Sequence, residues 1–196
     1  MKYILKFISI VFLLSFYSHA FSYNWEVDPA HSEVRFQVKH IHTTVSGQFK
    51  DFSGNLFFNP NNLKSAKINF TIKVKSVDTN NGKRDIHLKS KDFLNVNKFP
   101  TMGFRSTEVT RIGKDLFVAE GRLTIKDVTK KIRLKFNFYK EKPHPFKRNE
   151  VVAGFKSSIV IPRLDYNVGN GKFLKLGVVG KDVIIDIVME ALRDVK

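Results

Sequence analysis

Cysteine is missing from all 196 residues. Its absence excludes a small fold stapled by disulfides, a Cys-ligated zinc or iron–sulfur centre, a thiol nucleophile, and a lipid anchor attached to a cysteine at the mature N-terminus. Acidic residues are scarce: 18 Asp and Glu face 34 Lys and Arg, a formal net charge of +16. An amphipathic helix of any length is absent, no Pro/Gly/Ser-rich linker divides the chain, and no repeat of fixed period emerges. What abounds is Phe, with 19 residues. That is too much apolar matter for a disordered basic tail, so the chain must bury many rings.

Lys2 and Lys6 precede an uncharged run from Phe7 to Tyr17, and Ser18-His19-Ala20 supplies small residues where a signal peptidase reads. This pattern predicts a secretory leader over residues 1–20, cleaved after Ala20, and one domain over 21–196. The apolar run is about half of the ~20 residues that span a bilayer. The leader takes two lysines and no acid with it, so the excess charge belongs to the exported part. An exported protein without thiols is expected in a bacterial periplasm or outside the cell, stabilised by packing alone.

From Glu33 to Lys39 every second side chain is apolar: Val34, Phe36 and Val38 alternate with Glu33, Arg35, Gln37 and Lys39. Ala66 to Lys75 and Lys131 to Phe138 alternate in the same way, and each predicts a strand with one dry and one wet face. Weaker alternation runs through Gly54–Phe58, Thr101–Thr110, Leu116–Ile125, Val151–Ile161 and Val178–Glu190, with turn residues such as Asn59-Pro60-Asn61-Asn62 between several of them. About eight antiparallel strands result. One or two short helical or irregular stretches are expected, at Arg84–Ser90 and Asn170–Leu174. Such a sheet must cover its dry face, as a sandwich or by closing on itself. Closure at about eight strands gives an interior either filled by side chains or able to hold one small ligand. Composition does not choose between them.

Several strings in order resemble the YceI-like lipid-binding family of secreted bacterial proteins. They are Trp25-Glu26-Val27-Asp28-Pro29-Ala30-His31-Ser32, Val45-Ser46-Gly47-Gln48-Phe49, Ser76-Val77-Asp78-Thr79, Arg84-Asp85-Ile86-His87-Leu88, Phe99-Pro100 with Phe104, Gly121-Arg122-Leu123-Thr124-Ile125, and Gly154-Phe155 with Arg163-Leu164-Asp165-Tyr166. The resemblance runs from Trp25 to about Ala191. It implies an all-β fold, an extended antiparallel lipocalin-like barrel whose interior takes a long apolar chain such as a polyisoprenoid, a prenylated quinone or a fatty amide. One departure is visible: where the family usually has an aromatic followed by Gly, Tyr166 is followed by Asn167, a residue that tolerates a positive φ.

For such a barrel the expected wall positions are Phe36, Val38, Leu56, Phe58, Phe70, Ile72, Phe104, Leu123, Phe136, Phe138 and Ile185. Each could equally be an ordinary core side chain. Two Arg/Asp pairs, Arg84 with Asp85 and Arg163 with Asp165, are expected at the mouth, where Arg meets a head group or merely pins a loop. His40 and His42 would share a strand face and could hold a metal with His31 or His87, but no carboxylate or cysteine pair accompanies them, and no metal is expected. Ser32 beside His31 is not a triad, because adjacent strand residues point apart. Gly169-Asn170-Gly171-Lys172 is too short for a phosphate loop. No catalytic residue is expected; Glu120 would point inward only if its strand were phased the other way. The expected partner is a long-chain lipid, with no other cofactor and no nucleic acid. Transient contact with an anionic membrane surface is compatible with the charge, and pairing of two barrels is left open. The rival reading is a basic exported binder of anionic polymer or membrane surface. It would use Lys67, Lys73, Lys75, Lys130, Lys131, Arg133 and Lys135 on the wet faces.

Overall fold

The computed structural model describes residues 23–195; the expected leader lies outside them. Alternating patterns become strands throughout. In chain order these are β1 (Asn24–His40), β2 (Thr43–Phe49), β3 (Phe52–Asn59), β4 (Asn62–Lys73), β5 (Val77–Asp78), β6 (Thr101–Arg111), β7 (Leu116–Ile125), β8 (Val128–Pro143), β9 (Glu150–Pro162) and β10 (Val179–Asp194). Two short helices, α1 (Gly82–Lys89) and α2 (Lys172–Lys175), complete the described part with two single turns of 3-10 helix.

All pairings are antiparallel, in the order β10-β9-β8-β7-β6-β4-β3-β1, and β1 also pairs with β10. That last pairing, from Glu26↔Leu192 to His40↔Val179, closes eight strands into a barrel and removes their edges. Closure replaces the sandwich alternative. β2 and β5 are additional strands: β2 pairs with the second half of β1, in line with β3, and β5 pairs with β2. β2 was not separable by alternation, because Thr43-Thr44-Val45-Ser46-Gly47 is small and polar and carries almost no dry face.

The two ends of the barrel are built differently. At one end, reached by the N-terminus of β1 and the turns β3–β4 and β6–β7, six aromatic side chains fill the interior. Phe58, with 0% exposure, stands at their centre, its ring edge-on to Phe117, Phe136, Phe138 and Phe155 at 5.1 to 5.9 Å. Trp25 packs edge-on against Phe138 and Phe155 and donates its indole N–H to the Phe58 carbonyl at 2.8 Å, so its one polar group is satisfied inside the plug. Arg193 lies over the Tyr23 and Trp25 rings and reaches Glu141 at 2.7 Å, sealing this end.

The opposite end collects the longer irregular segments: the β1–β2 turn, residues 79–100 with α1, the β7–β8 turn, and residues 163–178 with α2. Helix α1 starts where the Asn81 side chain accepts from the Arg84 backbone N–H at 3.1 Å, an N-cap on Asn80-Asn81-Gly82. The two helices meet through rings: His87 stands edge-on to Phe93 and Phe173, which stack on each other with centroids 5.9 Å apart.

Candidate functional site

Between the aromatic plug and the helical end the interior is hollow. A chamber beside the plug is lined by Leu56, Phe70, Phe104, Leu123, Leu134 and Ile187 among others, with a cavity volume of about 90 Å³. A second chamber, under α1 and α2, holds about 110 Å³ by the same measure, between Phe36, Val38, Phe49, Leu88, Phe93 and Val183. Met102, Ile125, Ile161 and Ile185 line both chambers, so the two adjoin. The lining is almost wholly apolar. Ser157 contributes a hydroxyl already donated to the Lys135 carbonyl at 2.7 Å, and Arg163 contributes the only buried charge.

Exposure separates hollow from plug. Phe58 and Phe117 are sealed, whereas Leu123, Ile132, Leu134, Ile159, Ile185 and Ile187 line the chamber yet stay only half-buried. Apolar side chains that point into a barrel and still meet solvent have no packing partner opposite them.

Of the expected wall positions, Leu56, Phe70, Ile72, Phe104, Leu123 and Phe136 line the first chamber, Phe36 and Val38 the second, and Ile185 both. Phe58 and Phe138 line neither; they belong to the plug, packed ring to ring. Alternation tells which face of a strand is dry, and Phe58 and Leu56 share that face. It does not tell how far along the barrel the strand has run. The residues missed by the sequence reading are mostly aliphatic: Ile132, Leu134, Ile159 and Ile187 sit on recognised dry faces but were overshadowed by the Phe positions.

Neither expected Arg/Asp pair forms. Arg84 and Asp85 both hold Thr79 instead. Arg84 donates from Nε to the Thr79 hydroxyl and from Nη2 to its carbonyl, each at 2.7 Å, and Asp85 accepts from the Thr79 hydroxyl at 2.6 Å and backbone N–H at 3.0 Å. This four-bond clasp pins the start of α1 to β5. Asp165 is exposed and paired with Lys130 at 2.8 Å. Arg163 is 4% exposed and has no carboxylate partner among the described residues. It donates to three carbonyls, of Gly180 at 2.7 Å, Val168 at 2.8 Å and Val179 at 3.2 Å, and so joins the 3-10 turn to the start of β10. Burial pulls the guanidinium down from its ordinary pKa, but Arg remains charged. Asn167 adopts the left-handed conformation expected of it, at φ 55°. Its amide donates to Asp127 at 3.2 Å, a bond that Gly could not make and that holds the Asp127 carboxyl below its usual range.

Among the described residues one group combines three potential metal donors, Asp28, His31 and Glu190, on the outer wall. His40, His42 and His87 belong to no such group. His31 Nδ1 lies 2.7 Å from Asp28, and the Ser32 hydroxyl exchanges hydrogen bonds with the Glu190 backbone at 3.2 Å. These contacts fasten the irregularity between Asp28 and Glu33, where β1 shifts register against β10. Glu120 points outward and pairs with Arg133 at 3.1 Å. Of the wet-face cations, Lys73 pairs with Asp51 and Lys130 with Asp165, and register sets Arg105, Arg122 and Lys131 abreast on three neighbouring strands.

A closed antiparallel barrel around an apolar hollow, plugged at one end and covered by short helices at the other, is of the lipocalin-like class. Within that class the chain belongs to the YceI-like domain family, which it matches over residues 25–191. It is 35% identical over 175 residues to a UPF0312 protein of Pectobacterium atrosepticum, covering 89% of this chain and 88% of that one. The crystal structure of a YceI protein of Campylobacter jejuni is similar at 30% identity and a TM-score of 0.69, over 80% of this chain and 90% of that one. A polyisoprenoid binding domain from Saccharophagus degradans shares the fold, with a TM-score of 0.64 at 15% identity over 86% of this chain and 98% of that one.

Proposed function

We propose that this protein is an exported lipid carrier, working in a periplasm or outside the cell, and that its hollow holds one long apolar chain. The observation that carries the reading is the ring of half-buried aliphatic side chains facing an apolar cavity inside the barrel. The name of the Saccharophagus degradans neighbour points to the same chemistry, a polyisoprenoid. The chain would lie along Leu123, Phe70, Phe104 and Ile185, stopped by the aromatic plug, with its polar end under α1 near Arg163. There the guanidinium has N–H groups beyond the three that meet carbonyls.

Energetics favour exchange over permanent capture. Burying about twenty carbons from water would release roughly 16 kcal/mol, close to the ceiling for non-covalent binding. A lipid's alternative is a membrane, not water, and transfer between two apolar media is nearly neutral. Phe and Ile walls suit this, since they offer large contact area with little side-chain entropy to lose. The reading is one of binding, since the lining of both chambers is apolar apart from Lys156, Ser157 and Arg163.

Titration of delipidated protein with a fluorescent long-chain fatty acid, repeated across a salt series, tests this. Saturable uptake that hardly changes with salt is expected. Absence of uptake, or affinity falling steeply with salt as it does for phosphate-backbone binders, would favour the polyanion reading instead.

A further inference from the structure

The helical end carries a surface that neither the core nor the hollow requires. Ile86 on α1 is 73% exposed, Leu176 at the end of α2 is 63% exposed, and Ile41 in the β1–β2 turn is 47% exposed. Three segments distant in sequence thus present large aliphatic side chains to solvent at one end. They adjoin: α1 and α2 touch through His87 and Phe173, and the Ile41 backbone N–H donates to the Val178 carbonyl at 3.0 Å, just beyond Leu176.

Around them lysines outnumber carboxylates. Lys83, Lys91, Lys98, Lys172, Lys175 and Lys181 are exposed at this end, and none is in an ion pair among the described residues. Four of the nearby carboxylates are engaged, Asp85 by Thr79, Asp92 by His87 at 3.3 Å, Asp127 by Asn167 and Asp165 by Lys130, while Asp182 beside Lys181 is exposed and in no ion pair among the described residues. Under this surface lies the chamber between Leu88, Phe93, Leu94 and Val168, so whatever touches the surface also touches the covering of the hollow.

We propose that the helical end is a docking face for an anionic phospholipid bilayer, with Ile86, Leu176 and Ile41 entering the interface and the free lysines meeting lipid phosphates. Each part of the pattern has a separate physical task. Aliphatic side chains gain by leaving water for acyl chains, and lysines near an anionic surface each add a modest attraction that salt screens. Together they turn the α1–α2 covering toward the membrane and the aromatic plug away from it. A lipid could then pass between bilayer and hollow without crossing water. This rests on the carrier reading and adds to it the partner and the orientation.

The other end of the barrel supplies the control. Phe146, in the β8–β9 turn, is 92% exposed and has Lys147 and Arg148 beside it, so exposure and charge alone would nominate it equally. Flotation with vesicles of phosphatidylcholine, alone or mixed with phosphatidylglycerol, would compare wild type with three variants: Ile86→Ser/Leu176→Ser, Lys172→Glu/Lys175→Glu, and Phe146→Ser. Wild type and Phe146→Ser should float with the mixed vesicles and not with phosphatidylcholine. The lysine double variant should lose at least about 30-fold in affinity, and the aliphatic double variant at least about ten-fold. No flotation of wild type, loss on Phe146→Ser, or mouth variants that float as wild type does would each overturn the proposal. The lipid extracted from every variant, weighed by mass spectrometry, separates the two readings. Bound lipid without flotation defeats the docking face alone, and flotation of lipid-free protein defeats the carrier alone.

Discussion

Gly47 on β2 lies directly beneath the ring of Phe36 on β1: a Cβ on Gly47 would stand 2.4 Å from the Phe36 Cζ and 2.7 Å from the Thr79 methyl. The missing side chain is what lets Phe36 lie along the sheet beside Phe49 and form a wall of the chamber under α1. Gly47→Ala should drive the Phe36 ring toward the hollow, lowering stability by about 1–3 kcal/mol and reducing lipid uptake. Urea unfolding and the fatty-acid titration measure the two effects. Wild-type stability together with wild-type uptake would show that the contact yields easily.

Plug and wall should respond oppositely. Phe58→Ala removes the ring that four others touch, and should cost about 3–5 kcal/mol in urea unfolding. Ile185→Trp, at the junction of the two chambers, adds bulk where space exists, so it should leave stability nearly unchanged while weakening long-chain binding. Phe136 is a poorer choice for this test, because it also stacks on Phe117 at 5.5 Å. Severe destabilisation by Ile185→Trp would mean that the junction is already filled.

Asn167 combines two tasks that separate by mutation. Its left-handed backbone suits Asn better than Ala, and Ala also gives up the bond to Asp127, so Asn167→Ala should lower stability by roughly 1–2 kcal/mol. Asn167→Gly relaxes the backbone but gives up the bond to Asp127, and should fall much nearer wild type. Thermal melting of both variants orders them; equal losses would assign the whole effect to the side-chain bond.

A pH dependence follows from Asp28 and His31. Their hydrogen bond holds the Asp28 carboxyl below its ordinary range and raises the His31 imidazole above its own. Asp28 therefore contributes stability above its unfolded pKa, about 3.9, and loses it as pH falls through the lowered folded value. His31 contributes fully below its unfolded pKa, about 6.5, and loses that as pH rises through the raised folded value. The pair should fasten the β1 irregularity best between about pH 4 and 6.5. An NMR titration of His31 should show a raised midpoint that returns toward the ordinary value in Asp28→Asn; an unmoved midpoint would contradict the pairing.

Legibility in the sequence followed the physics of each feature. The strong strands were plain because Phe36, Phe70 and Phe136 each sit in an unbroken period of two. Closure was legible only through the family resemblance, because the pairing of β1 with β10 joins residues far apart in the chain and leaves no local mark. The division between hollow and plug was hidden for a related reason: Leu56 and Phe58 share a face, and only their depth in the barrel separates a wall from a core. The Arg/Asp pairs do not form because closeness in sequence does not bring two side chains together. Arg163 instead found three backbone carbonyls, and Asp165 found Lys130.

Whether the interior accepts a foreign chain is decided by native mass spectrometry of protein purified from the cells that make it, followed by organic extraction of whatever is bound. A discrete added mass belonging to a long-chain lipid is expected, present in wild type and Phe146→Ser and lost in Ile185→Trp. The bare mass of the protein in every sample, with nothing extractable, would contradict it.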